Sequence, residues 1–128
     1  MSNIPAVKAF IAAWGKQDLD EIMSFFAADA IYHNIPLDPV QGTEAVRQTI
    51  SQFISMGSAI EFETHFIAED ADGVVLTERT DKFQIKEQWL ELPVMGTFEF
   101  ADGKLTKWRD YFDIGQFQQQ LAAINTAA

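Results

Sequence analysis

Cysteine is absent from the sequence, and basic residues are few. The absence of cysteine excludes disulfides, thiolate nucleophiles and cysteine-ligated zinc, and suits a reducing compartment. Nine Lys and Arg stand against 19 Asp and Glu, which gives a formal net charge of -10. A nucleic-acid surface needs clustered Lys and Arg to neutralise phosphates, so we expect no nucleic-acid partner.

Long apolar runs are also missing. No stretch approaches the ~18 apolar residues that a membrane span requires. The amino-terminal stretch "MSNIPAVKAF" has neither the basic nor the apolar region of a signal peptide. We therefore expect a cytoplasmic protein that does not bind membranes.

Apolar residues are nevertheless plentiful. Hydrophobic residues make up 48% of the 128 residues and aromatic residues 12%, including eleven phenylalanines. This composition is typical of a well-filled globular core, which folds without a metal or a disulfide. The length fits a single domain spanning residues 1–128.

Helical patterns dominate the first part of the chain and its end. Asp18 and Thr43 are predicted to cap the second and third helices, and the first helix begins near Pro5. The apolar stripes at helical spacing are Val7, Phe10, Ile11 and Trp14, then Leu19, Ile22, Met23 and Phe26, then Val46, Ile50, Phe53 and Ile54, and finally Phe117, Leu121 and Ile124.

Strand patterns occupy most of the remainder. The predicted strands are residues 30–34, 59–67, 74–85, 88–100 and 105–113, with a loop at residues 35–42. Alternation places Ile60, Phe62, Thr64 and Phe66 on one face, and Pro93 and Gly96 are expected to break their strand. Helices followed by long antiparallel strands predict an α+β domain, with about four helices on one face of a curved sheet.

Charged residues fall on the predicted buried face of two strands. Residues two apart in a strand point the same way, so Arg79 and Asp81 share the face of Val75 and Phe83. The same rule places Asp110 between two aromatic residues, Trp108 and Phe112. Isolated charges are costly to bury, so we expect Arg79 to lie between Asp81 and Asp110 and to donate to both.

One guanidinium beside two carboxylates leaves a net negative charge, which favours one ionised and one protonated carboxylate. Such a pair suits chemistry that gives one proton and takes another, such as adding water to a strained ring or moving a proton beside a carbonyl. The alternative is an ion cluster that only ties strands together. Tyr32 and Asn34 share one side of the first strand and are candidates for holding a water molecule.

The two histidines do not predict a metal site. His33 points away from Tyr32 and Asn34, and His65 lies on a charged strand face with Glu61 and Glu63. We expect both rings to be solvated or to form local hydrogen bonds.

The stretches "YHNIPLDPVQG", "VLTERTD" and "KWRDYFDIGQF" resemble the limonene-1,2-epoxide hydrolase family, in the same order along the chain. The resemblance implies a cone-shaped α+β fold shared with nuclear transport factor 2-like and polyketide cyclase-like proteins. In that fold a strongly curved mixed sheet and its helices enclose a deep apolar pocket, and the proteins are commonly homodimers.

The resemblance also implies a one-step hydrolysis of a small apolar epoxide to a vicinal diol, without a metal or an organic cofactor. Asp110 would take a proton from water, which Tyr32 and Asn34 would hold. Asp81 would protonate the epoxide oxygen, and Arg79 would bridge the two carboxylates.

The substrate pocket is expected to be lined by large apolar side chains. The predicted lining residues are Phe53, Met56, Phe83, Met95, Trp108 and Phe112. Two other functions fit the same pattern. One is an isomerase or polyketide cyclase-like enzyme on the same fold, because one architecture hosts many chemistries. The other is a non-catalytic module that binds an apolar ligand.

Overall fold

A computed structural model describes residues 2–126, so the predicted domain limits at residues 1 and 128 lie outside the described part. This part contains four helices and six strands. The helices are α1 (Ile4–Gly15), α2 (Leu19–Met23), α3 (Thr43–Met56) and α4 (Ile114–Thr126). The strands are β1 (Phe26–Asn34), β2 (Val40–Gln41), β3 (Ala59–Glu69), β4 (Val75–Ile85), β5 (Gln88–Ala101) and β6 (Lys104–Tyr111).

All six strands form one curved, unclosed sheet in the order β2-β1-β6-β5-β4-β3. β1 pairs with β6 in parallel, whereas the other neighbours are antiparallel. The sheet is therefore mixed. The predicted α+β fold, with a curved mixed sheet and about four helices, is confirmed.

The hydrophobic core lies on the sheet face that α1 covers. Val7, Phe10 and Trp14 of α1 are buried, and the Phe10 ring meets the Trp108 ring of β6 edge-on at 4.9 Å. Alternate residues of β4, from Val75 to Ile85, are buried on the same face. Because Arg79 and Asp81 follow this alternation, their charges lie within the core layer.

Helix starts agree with the sequence in part. Asp18 caps α2 as predicted, since its carboxylate accepts a 3.0 Å hydrogen bond from the Glu21 N–H. The prediction for Thr43 is wrong, because Gly42 is the N-cap of α3. The Thr43 hydroxyl instead donates to the Ala28 carbonyl at 3.3 Å. No helix within residues 2–126 is long and apolar enough to cross a membrane.

The first two strands differ from the prediction. β1 begins at Phe26, which the sequence pattern assigned to the second helix. Phe26 is buried as an inward-facing strand residue, so its place in the core does not depend on a helix. β2 lies inside the predicted loop and pairs with β1 through Ile31 and Tyr32.

Two features of the later strands also depart from the prediction. The pairing register of β3 and β4 shifts between Thr64 and Phe66, and Phe66 is 73% exposed instead of facing the core. A β-bulge of this kind inserts one residue and reverses the alternation beyond it. β5 continues through Pro93, because its pairing with β6 begins only at Met95 and proline is tolerated where one neighbour is missing.

Candidate active site

The sheet register brings one row of residues together across four strands. Thr77 of β4 lies opposite Gly96 of β5, Gly96 lies opposite Asp110 of β6, and Asp110 lies beside Asn34 of β1. Side chains that lie side by side in neighbouring strands point to the same face. The row therefore runs across the strands on the core face of the sheet, with Thr77 at one end and Asn34 at the other.

The guanidinium of Arg79 joins both carboxylates. Its Nε and Nη2 donate to the two oxygens of Asp81, each at 2.9 Å, and Nη2 also donates to Asp110 Oδ2 at 2.8 Å. Its Nη1 donates to the Thr77 hydroxyl at 3.0 Å. Arg79, Asp81 and Asp110, here called the Asp–Arg–Asp cluster, are only 1%, 5% and 4% exposed. The sequence prediction of these contacts agrees with the structure.

Trp108 holds the other oxygen of Asp110. Its indole Nε1 donates to Asp110 Oδ1 at 2.8 Å. The Trp108 ring also stacks on the ring of Tyr32, with centroids 4.3 Å apart and planes 9° apart. Trp108 thus contacts both Asp110 and Tyr32 without lining the cavity itself. From the sequence, Trp108 was predicted to share the face of Asp110 as a pocket residue, and its hydrogen bond to Asp110 was not predicted.

Burial sets the protonation of Asp81. Burial raises the pKa of Asp81, the charge and hydrogen bonds of Arg79 lower it, and the Asp110 charge raises it, with a net pKa of about 6. Burial acts to lower the pKa of Arg79, but the charges of Asp110 and Asp81 outweigh it and the net pKa is raised. Arg79 therefore stays charged, whereas Asp81 titrates near neutrality.

Tyr32 remains a neutral phenol. Burial raises its pKa well above the ordinary value, and the charge of Asp110 raises it further, while Asn34 and Arg79 act in the opposite direction. A neutral phenol both donates and accepts hydrogen bonds. Tyr32 and Asn34 lie two residues apart on β1, and both line the same cavity as Asp110.

An apolar cavity opens on the cluster. The volume of this cavity that the centre of a water molecule can reach is about 50 Å³, which is enough for more than one water. Asp81 and Asp110 line the cavity, as do three of the predicted pocket residues, Phe53, Phe83 and Phe112. The two carboxylates thus lie in a mostly apolar environment.

The other three predicted pocket residues lie elsewhere. Met95 is on the opposite sheet face and is 51% exposed, because it alternates with the inward-facing Val94 and Gly96. Met56 at the end of α3 packs against the core outside the cavity. Trp108 lies behind Tyr32. These three predictions of pocket lining are wrong.

Several residues that line the cavity were not predicted from the sequence. Leu92 and Val94 of β5 and Phe117 of α4 belong to it, as do Phe62 and Leu37. Two signals were available. Leu92 and Val94 share the strand phase of Gly96, and Phe117 begins the apolar stripe of the last helix.

The histidines form local contacts outside the cavity. His33 Nε2 lies 3.0 Å from the Leu37 carbonyl oxygen, and His65 Nε2 lies 2.8 Å from the Thr80 hydroxyl. In the described part of the chain, no three His, Asp or Glu side chains are grouped so that they could hold a metal ion.

The family described as the limonene-1,2-epoxide hydrolase catalytic domain matches residues 1–123. The chain belongs to the limonene-1,2-epoxide hydrolase family. It is 37% identical over 110 residues to epoxide hydrolase EphG of Mycobacterium tuberculosis, a match that covers 85% of this chain and 72% of EphG.

Solved structures agree with the family assignment. The structure of an LEH-like epoxide hydrolase of Mycobacterium tuberculosis has a TM-score of 0.77 and 32% identity, and the match covers 97% of this chain and 92% of that one. A protein of Catenulispora acidiphila with a ketosteroid isomerase-like fold has a TM-score of 0.78 at 20% identity, covering 89% of each chain. The second likeness concerns the fold alone.

Proposed function

We propose that this member of the limonene-1,2-epoxide hydrolase family is an epoxide hydrolase, which adds water to a small apolar epoxide in one step and gives a vicinal diol. The observation that carries the proposal is the buried Asp–Arg–Asp cluster, whose two carboxylates both line an apolar cavity. Family membership and the named relatives support the same activity.

Each step of the proposed reaction uses a residue of the site. Tyr32 and Asn34 hold a water molecule beside Asp110, which accepts one of its protons. The water oxygen forms a bond to an epoxide carbon, and the bond from that carbon to the epoxide oxygen breaks. Asp81 gives its proton to the departing oxygen. Arg79 keeps the two carboxylates at fixed positions throughout.

The charge states suit these roles. A pKa of about 6 leaves a share of Asp81 protonated near neutral pH, so that it can act as an acid. Each well-placed proton transfer contributes about 10²–10⁴-fold to the rate. Holding the water next to the reacting carbon adds a further contribution from positioning. In this reaction two side chains make both proton transfers, so we propose that it uses no metal or organic cofactor.

Neutral variants of the two carboxylates test the proposal. Asp110→Asn and Asp81→Asn are each expected to reduce diol formation by about 10² or more, because each removes one proton transfer. Asp102→Asn is a matched control, since Asp102 is exposed in the turn between β5 and β6. Circular dichroism and thermal unfolding check that all three variants fold. A site variant that keeps more than about a tenth of the activity contradicts the assigned roles.

The substrate class and the one-step mechanism need a separate experiment. We would incubate the protein with a panel of epoxides, from terpene oxides to small cyclic epoxides, in ¹⁸O water. Mass spectrometry of the first diol formed with enzyme in excess is expected to find one labelled oxygen, which comes directly from solvent. Diol that lacks the label in this first turnover would indicate an ester intermediate and contradict direct attack by water.

We further propose that this single-domain protein is a cytoplasmic homodimer that associates through the outer face of its sheet. Four large apolar side chains, Phe66, Leu76, Met95 and Tyr111, are 43–73% exposed on the face opposite the cavity. The strand register places Phe66 and Met95 on either side of Glu78, and Tyr111 beside Met95. Apart from Glu78 this exposed row is apolar, which suits a two-fold interface with a second copy.

A further inference from the structure

Gly96 occupies the central position of the row that runs through the site. Thr77 is its neighbour on β4, and Asp110 is its neighbour on β6. A methyl group built at position 96 would lie 2.9 Å from Thr77 Oγ1 and 2.7 Å from Asp110 Oδ1. It would lie closer still to Nη1 of Arg79. Real Cβ atoms essentially never approach other heavy atoms this closely, so a side chain at position 96 competes with all three groups.

The topology of the sheet explains why this space is needed. β4 and β6 are not neighbours, since β5 lies between them. With strands about 4.8 Å apart, groups on β4 and β6 are separated by two strand spacings, or about 10 Å. The guanidinium of Arg79 contacts Asp110 from β4, so it must lie above the backbone of β5. The residue below it is Gly96.

Backbone conformation does not explain this glycine. Positive φ angles occur at Gly42, Gly73 and Gly103, whereas Gly96 lies in paired strand where other residues are also allowed. In such a strand, replacing glycine by alanine is ordinarily neutral or stabilising, because it lowers the entropy of the unfolded chain. The constraint at position 96 is therefore space for the cluster.

We infer that Gly96 is a positioning residue for the proposed hydrolysis, because its missing side chain lets Arg79 cross β5 and hold Asp110 and Asp81 at once. This role rests on the proposed function. A side chain at position 96 would press on Nη1 of Arg79 and tilt the guanidinium, which would disturb its hydrogen bonds to both Asp110 and Asp81. The acid and the base would then lose their fixed separation.

The test compares Gly96→Ala with Gly15→Ala, which adds the same methyl group at the exposed end of α1. The nearest atom to that control methyl is the Ile60 carbonyl oxygen at 3.7 Å, an ordinary contact. The first readout is ¹⁵N NMR of the Arg79 Nε–H and the Trp108 indole N–H, whose acceptors are Asp81 and Asp110. Gly96→Ala is expected to shift both signals and Gly15→Ala neither.

The second readout is turnover of the epoxide that wild type converts best. In Gly96→Ala, kcat is expected to fall by about 10², because a misplacement of about 1 Å at a reacting group has an effect of this size. KM is expected to change little, since Phe53, Phe83 and Phe112 are untouched. Gly15→Ala is expected to match wild type in both constants.

Unchanged N–H signals and unchanged kcat in a folded Gly96→Ala variant would overturn the inference. If Gly96→Ala does not fold, the double variant Gly96→Ala with Arg79→Lys replaces it, because the narrower ammonium group leaves room for the methyl. Recovery of folded protein supports the inference, and continued unfolding overturns it. If wild type opens no epoxide, the proposed function fails, yet the two N–H signals still decide the role of Gly96.

Discussion

Asp81 links the chemistry of the site to the stability of the fold. Its pKa is raised from an ordinary value near 3.8 to about 6, mainly by burial. The folded protein therefore binds this proton more tightly than the unfolded chain does. The stabilisation is fully present below about pH 4 and is lost as the pH rises through about 6. Two pKa units correspond to about 3 kcal/mol, because one unit is about 1.4 kcal/mol.

Asp81→Asn tests this dependence of stability on pH. The amide is neutral at all pH values and resembles the protonated acid in shape. We expect the free energy of unfolding of wild type, relative to that of the variant, to decrease by about 2 kcal/mol from pH 4 to pH 7. Urea unfolding at several pH values measures the difference. A constant difference over this range would show that folding does not raise the pKa of Asp81.

Residue-level prediction worked where alternation was the only requirement. Arg79, Asp81 and Asp110 are polar residues in apolar strands, so their phase identified their buried face before any partner was known. The prediction that Met95 lines the pocket was wrong for the opposite reason. Its neighbour Gly96 has no side chain, so the inward phase of that part of β5 was hidden and an apolar methionine fitted either face. The space above Gly96 is a tertiary property that no local pattern records.

At the scale of elements, one side chain of α4 forms two hydrogen bonds with the backbone of β5. The amide of Gln120 donates to the Glu91 carbonyl at 2.8 Å and accepts from the Glu91 N–H at 2.9 Å. Glu91 precedes the part of β5 that pairs with β6, so these backbone groups have no strand partner on that side. Gln120 takes the place of the missing strand and fixes the helix that carries Phe117 along the cavity.

Replacing Gln120 should loosen this attachment. Gln120→Ala is expected to lower the free energy of unfolding by about 1–2 kcal/mol, since two hydrogen bonds of modest net strength are lost. It should also speed amide hydrogen exchange at Glu91. Gln118→Ala is the matched control, because Gln118 is exposed on the same helix. Equal exchange at Glu91 in the two variants would argue against the attachment.

The limits and irregularities of the strands could not be predicted from the sequence. The bulge near Phe66 depends on how β3 meets β4, and it reverses the facing of an apolar residue that fitted the alternation perfectly. β2 has two residues in a stretch rich in proline, too short for any periodic signal. Pro93 is tolerated only because β6 ends before reaching it. Each of these features follows from a neighbouring strand and not from the segment itself.

At the scale of the whole molecule, association through the outer sheet face is the property to test. Met95→Lys replaces an apolar side chain of the exposed row by a charged one, which a second copy would have to bury at a cost. We expect sedimentation analysis to give a dimer for wild type and a monomer for Met95→Lys. Gln118→Lys adds the same charge on α4 and is expected to remain dimeric. A wild-type monomer, or a dimeric Met95→Lys, would contradict the proposed interface.

The parallel contact between β1 and β6 has a consequence for the order of folding. β3 to β6 pair with their neighbours in sequence through short turns, whereas the residues of β1 and β6 that pair are separated by more than half of the chain. Local pairings close faster than distant ones. A partly folded chain with β3 to β6 in place would already contain Arg79, Asp81 and Asp110. It would still lack Tyr32 and Asn34, so we expect the ion pairs to form before the groups that would hold water are in place.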